Sequence, residues 1–215
     1  MSTLDPHSQQ RATIYWWLST LFALELDDAA LENYRSDDCR LFLQSLGENE
    51  ALRPATEQFW QQLQRQLKRT DGQLELAADF CTLFLTSPKT GALPYASVYL
   101  CDDGLLNGAP AVKMREHFDA LEMTPQAGFN EPCDHLALIL DLMGNLAVRS
   151  EQDDDAGRDA IVRQLEISNE LLRTWVDTFA EQCQRWDNFG FYGAASYLLA
   201  TFIAEDNKYL TSLSA

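Results

Sequence analysis

Basic residues are scarce in this chain: 16 Lys and Arg stand against 33 Asp and Glu in 215 residues, a net charge of −17. Binding to nucleic-acid phosphates would work against that field, whereas a basic partner would be steered toward it. Cysteines number five, widely scattered and without a C-x-x-C pair, which excludes both a disulfide framework and a cysteine zinc site. Histidines number three, His7, His117 and His135, too far apart for a paired-histidine metal motif. Neither G-x-x-x-x-G-K-[ST] nor G-x-G-x-x-G occurs, so phosphate binding has no loop behind it. No run alternates long enough for a sheet. Met1 to Gln10 is polar and carries Asp5, unlike a signal peptide. The one charge-free stretch, Asn188 to Ala204, is short and holds Asn188, Gly190, Gly193, Ser196 and Thr201, as a buried core helix does. Metal ligation is not expected, and the compartment implied is the cytoplasm.

What is present is helical periodicity, in a chain 46% hydrophobic and 23% charged. Ile14, Trp17, Leu18, Leu21 and Phe22 form one apolar stripe. Asp27 and Asp28 open a short second helix, and Cys39, Phe42, Leu43 and Leu46 mark a third that Gly47 is expected to stop. Pro54 suits the first turn of a fourth, carrying Phe59, Leu63 and Leu67. A fifth, about Gln73 to Leu85, is apolar on two faces and is expected to be central or to show one side to a ligand. Regularity lapses at 86–109, a long loop whose aromatics Tyr95 and Tyr99 argue against disorder. If the run there is extended, Tyr95, Ser97 and Tyr99 share a face. Pro110 restarts a helix with Met114, His117, Phe118 and Leu121. Four more follow, from Pro132 to about Val148, Asp154 to Ile167, Asn169 to Arg185 and Gly190 to Leu210. The expected fold is all-α, a bundle of about nine to ten helices in two lobes, 1–128 and 129–215. A hinge near 124–132 joins them, with Thr124, Pro125, Gly128 and Pro132 as its residues. Such a hinge would let lobes exchange between two chains.

Glu131-Pro132-Cys133-Asp134-His135 concentrates two carboxylates, a proline and an imidazole at a helix entrance. With Pro132 at the first helical position, Asp134 would sit at the third and cap free N–H groups. The same carboxylates could instead meet a partner. An acid–base dyad of Asp134 and His135 is weak, because adjacent helical residues diverge and do not face each other. A small-molecule or nucleotide hydrolase using this region is the alternative reading.

The ordered set Y-A-S-V-Y-L at 95–100, G-L-L-N-G at 104–108 and E-P-C-D-H-L at 131–136 resembles the TorD/DmsD family of redox-enzyme maturation chaperones. Leu83-Phe84 before the loop and Phe191-Tyr192 fit it too, and the likeness runs from about Ile14 to Leu210. Tyr95, where DmsD-like members tend to have tryptophan, is similar to the TorD branch, which serves trimethylamine N-oxide reductase. The resemblance implies a non-enzymatic chaperone that binds the immature catalytic subunit of a molybdoenzyme and its twin-arginine signal peptide. Binding would precede export, while the molybdenum cofactor is inserted. It assigns the family signature to Tyr95, Ser97, Tyr99, Glu131, Pro132, Asp134 and His135, with Leu83, Phe84 and Pro94 as the apolar wall of a peptide site. It also implies weak guanine-nucleotide binding, for which no residue here is placed, and no tightly bound cofactor. A twin-arginine peptide is basic and then apolar, so its receptor needs carboxylates beside an apolar surface. Glu131 and Asp134 could accept charge-assisted arginine hydrogen bonds.

Overall fold

A computed structural model describes residues 6–125 and 128–214. Eleven α-helices occur among them and no strand: α1 Pro6–Ala23, α2 Asp28–Asn33, α3 Asp37–Glu48, α4 Arg53–Leu67, α5 Gly72–Phe84, α6 Ala96–Leu100, α7 Ala109–Ala120, α8 Leu136–Arg149, α9 Asp155–Ile167, α10 Val176–Trp186 and α11 Phe191–Leu213. One π-helical segment, Ser168–Leu172, lies between α9 and α10. The fold is all-α, as the periodicity implies. Among these helices, none is long and apolar enough to cross a membrane.

Local chemistry starts five of these helices. Asp27 accepts from the Ala30 N–H at 2.8 Å, Ser36 from Cys39 at 3.2 Å and Asp154 from Gly157 at 2.9 Å, each filling an orphan donor of a first turn. Pro54 and Pro110 occupy first-turn positions of α4 and α7, where a missing N–H costs nothing.

Four expectations are corrected. Helix α3 runs through Gly47 to Glu48 and is capped at Asn49, because nothing at Gly47 forces the left-handed conformation that would end it. Helix α5 buries only the face of Leu76, Phe80, Leu83 and Phe84; Leu74 and Leu85 are 69% and 59% exposed. Residues 96–100 are a short helix rather than an extended run, so Ser97 and Tyr99 do not alternate as strand neighbours. The stretch 169–185 is interrupted after Leu172, where Asn207 Nδ2 donates to Ser168 Oγ and Asn169 Oδ1 at 3.0 and 2.9 Å and holds the π-helical segment.

The chain divides into two compact units. The first gathers the described residues of Met1–Ala23, Pro94–Trp175 and Asp206–Ala215; the second comprises Leu24–Leu93 and Val176–Glu205. Neither unit coincides with 1–128 or 129–215, because segments on both sides of residue 128 pack together within the first unit. Of the residues expected to form a hinge, Thr124 and Pro125 precede Gln126 and Ala127, which lie outside the described residues, and Gly128 follows with φ of +99°.

The core of the first unit is α1 against α8. Tyr15, Leu18, Leu21 and Phe22 meet Leu136, Ile139, Leu140, Leu142 and Met143, all fully buried. The close approach requires Gly144, since a Cβ there would lie 2.5 Å from Trp16 Nε1. Gly144→Ala should therefore cost about 1–3 kcal/mol by overpacking. A urea titration checks this, and an unchanged midpoint would mean that Trp16 swings clear at no cost. The second unit is cored by aromatic rings: Phe84 packs on Phe80, Phe179 and Tyr192 with centroids 5.0, 6.1 and 5.1 Å away, and Phe59 packs on Phe191 at 5.3 Å.

Candidate functional site

The two signature segments meet directly in the first unit. Tyr95 and His135 form an isolated antiparallel bridge. Around it the Leu136 N–H donates to Pro94 O at 2.8 Å and the Ala96 N–H to Asp134 O at 3.2 Å. Asp134, fully buried, turns its side chain onto the start of α6: Oδ2 accepts from the Ser97 N–H at 2.7 Å and from Ser97 Oγ at 2.5 Å. Ser97 Oγ in turn accepts from the Gly108 N–H at 3.0 Å. Segments 94–97, 108 and 131–136 are thus tied into one clasp by charge-assisted and backbone hydrogen bonds.

This geometry corrects the expected helix start. Helix α8 begins at Leu136, not Pro132, and its cap is His135, whose Nδ1 accepts from the Ala137 N–H at 3.1 Å. Residues 132–135 form a turn instead, closed by the His135 N–H on Pro132 O at 2.9 Å. Asp134 therefore caps nothing in α8; its carboxyl group serves α6, across 37 residues of chain.

The His135 ring is 4% exposed and sits between two other rings, Tyr95 at 4.9 Å and Phe129 at 5.2 Å, both edge-on. Burial pushes its pKa down to about 4, so the imidazole is neutral at neutral pH, with Nδ1 as acceptor. The Tyr95 hydroxyl donates to Glu131 Oε2 at 2.7 Å. Burial, that bond and the neighbouring negative charges hold its phenol protonated well above the usual range.

The residues singled out from the sequence thus have different settings. Pro94, Tyr95, Ser97, Asp134 and His135 are buried in the clasp, and Glu131 is exposed at its rim. Tyr99 faces elsewhere in the same unit, stacked on Trp175 at 5.0 Å. Leu83 and Phe84 belong to the second unit, where they are 0% and 1% exposed within its aromatic core, and Leu83 O accepts from the Ala92 N–H at 2.7 Å. Two members escaped the sequence reading. Phe129 lies in an aperiodic loop and gave no signal. Gly108 had one, as the last residue of G-L-L-N-G: a Cβ there would lie 2.4 Å from Cys101 Sγ.

One atom of the clasp lacks a partner. Asp134 Oδ1 is buried and accepts no hydrogen bond. Beside Gly108, the exposed loop residues Asp102, Asp103, Leu105 and Leu106 line a surface cavity of about 500 Å³. Chemically the clasp binds and positions. The imidazole acceptor is engaged by backbone and the Asp134 carboxyl group by Ser97, which leaves no nucleophile–base pair of the kind acyl transfer needs. Among the described residues, no group of three or more His, Cys, Asp or Glu could hold a metal ion.

The class of this all-α chain is defined by its relatives. The family described as nitrate reductase delta subunit matches residues 49–181. The chaperone protein TorD of Vibrio vulnificus strain YJ016 is 46% identical over 98% of this chain and 99% of its own length. That of Vibrio parahaemolyticus is 43% identical over the same shares. A solved redox enzyme maturation protein from Archaeoglobus fulgidus covers 94% of this chain and 93% of its own, at 18% identity and a TM-score of 0.46, too low to bear on the fold. The chain belongs to the TorD family of maturation chaperones for molybdenum-containing redox enzymes, whose members are chaperones and not enzymes.

Proposed function

We propose that the client is the immature catalytic subunit of trimethylamine N-oxide reductase, bound in the cytoplasm together with its twin-arginine signal peptide and kept competent for cofactor insertion. The near-full-length identity to TorD chaperones supports this choice of client. One observation carries the peptide reading: Glu131 is exposed at the clasp rim, its carboxylate oriented by the Tyr95 hydroxyl at 2.7 Å. A pre-oriented carboxylate loses little freedom on pairing with a guanidinium. Asp102 and Asp103 beside the exposed Leu105 and Leu106 match the same order of chemistry, basic and then apolar. In this arrangement Asp134, His135, Ser97 and Pro94 hold the surface in shape, and Glu131 touches the peptide.

Glu131→Gln keeps the Tyr95 hydrogen bond but removes the charge. Calorimetry with a synthetic signal peptide at low salt should show roughly three- to tenfold weaker binding. The difference should shrink as salt rises. Equal affinity of the two proteins at low salt would remove Glu131 from the interface. Recovery of a trimethylamine N-oxide reductase precursor on the tagged chaperone tests the client itself.

A further inference from the structure

The second unit holds an acidic pair that the clasp does not use, one member buried and the other half-buried. Asp79, on α5, is 2% exposed, and among the described residues neither of its oxygens has a partner at normal hydrogen-bond geometry, the Asn188 N–H lying nearby. Its neighbour Asp187, in the turn between α10 and α11, is the opposite case. Asp187 Oδ1 accepts from the Phe189 and Gly190 N–H groups at 2.8 and 2.6 Å, and Oδ2 from the Gly193 N–H at 2.6 Å. Three N–H donors at the start of α11 thus converge on the Asp187 carboxyl group. Asp79 has no such donors, and the charged form of a buried acid without them is strongly disfavoured. A protonated Asp79 would instead be a donor toward Asp187, the group that acts on it most directly.

We propose that Asp79 and Asp187 form a carboxylic acid–carboxylate pair whose single shared proton latches α5 to the start of α11, making this corner a pH-sensitive switch. The surrounding groups reinforce it. Cys183 of α10 and Tyr192 of α11 both feel the pair, and Tyr34 and Glu25 lie near Tyr192. The charged groups that act on Cys183 and Tyr192 here are acidic, so loss of the proton places a second negative charge beside Asp187. Burial, the hydrogen bond to Asp187 and its charge together push the Asp79 carboxyl up to about 8; the Asn188 N–H nearby offsets only part of this. Tyr192 joins latch and core: its ring packs on Phe80, the residue next to Asp79, and on Phe84, and its hydroxyl is buried without a partner. Opening the latch would separate α5 from the first turn of α11 and loosen that aromatic cluster.

The sign follows from proton binding. The folded protein keeps a proton on Asp79 that the unfolded chain releases near its ordinary value of 3.8. The stabilisation is complete below that value, is lost as pH rises toward about 8, and changes no further above it. Asp79→Asn keeps a donor toward Asp187 and cannot titrate. Urea unfolding of the whole chain should then show the unfolding constant of the natural protein rising relative to that of the variant. The rise approaches tenfold per pH unit between about 5 and 8 and levels off beyond. Curves that stay parallel across this range would overturn the proposal. The carbon-13 resonance of the Asp79 carboxyl group in the natural protein decides the matter independently of whether the variant folds. A midpoint near 8 supports the latch, and one below about 5 sinks it.

Discussion

Asp206→Ala is expected to destabilise the first unit by about 3–5 kcal/mol, the cost of leaving a buried charge unpaired. Arg11 and Asp206 are 8% and 5% exposed and pair in a bidentate manner through one guanidinium edge, Nε to Oδ1 and Nη2 to Oδ2, the latter at 2.9 Å. Tyr15 donates its hydroxyl to Asp206 Oδ2 at 2.7 Å, and Arg11 Nη2 also reaches Gln164 Oε1 at 2.7 Å. Gln164 passes the connection to the Leu146 and Ala160 carbonyls at 3.2 Å. One carboxylate therefore ties α1, α8, α9 and the end of α11. Its removal takes the carboxylate from the guanidinium and the Tyr15 hydroxyl together. Urea denaturation measures the loss, and a decrease below about 1 kcal/mol would mean that water or Gln164 replaces the carboxylate. The double variant Arg11→Met with Asp206→Leu separates pairing from burial. It should recover most of the stability, because two apolar groups of similar volume leave no charge to solvate. If the double variant is as weak as Asp206→Ala, the network matters for its geometry rather than for its charge balance.

The network also shows what a linear reading misses. Arg11 sits in a stripe read for its apolar members, and nothing local pairs it with a carboxylate 195 residues away. Where helices are set by neighbouring residues, sequence and structure agree: Asp27, Asp154, Pro54 and Pro110 each act within one turn of chain. Where they are set by distant partners, they diverge. Helix α6 is too short to show a period and exists because Asp134 takes the Ser97 N–H. Helix α8 is a local exception: it starts late because its cap is a histidine, not one of the usual small polar residues. The candidate site follows the same division. That 95–99 and 131–135 matter together was legible from their ordered motifs, but their contact was not. Nor was the fact that, of the two carboxylates, Glu131 faces solvent while Asp134 is fully buried. Burial depends on what packs above a residue, and a motif carries no record of that.

The second large effect is expected at Asp134, and it distinguishes two roles for that carboxyl group. If Asp134 holds the clasp, Asp134→Ala leaves the Ser97 N–H and Oγ–H without an acceptor in a dry site and opens a small cavity. At about 1–3 kcal/mol for each stranded group, a loss of about 3 kcal/mol is expected. Asp134→Asn should cost far less. Its amide oxygen still accepts from Ser97, and its NH₂ replaces Oδ1, the atom that has no partner now. If Asp134 instead paired with a client arginine, the pattern of binding would differ. Asn and Ala would then weaken signal-peptide affinity alike, although only Ala destabilises the fold. The buried clasp predicts affinity close to natural for Asp134→Asn at a temperature where both proteins are folded, and reduced affinity for Asp134→Ala. Comparing the two variants by urea titration and peptide calorimetry gives four numbers. A fall in affinity for Asp134→Asn at undiminished stability is the one combination that the clasp cannot produce, and it would move Asp134 from support to contact. Glu131→Gln is the counterpart at the rim, weakening affinity while leaving stability unchanged, since its carboxylate is exposed and its hydrogen bond to Tyr95 survives.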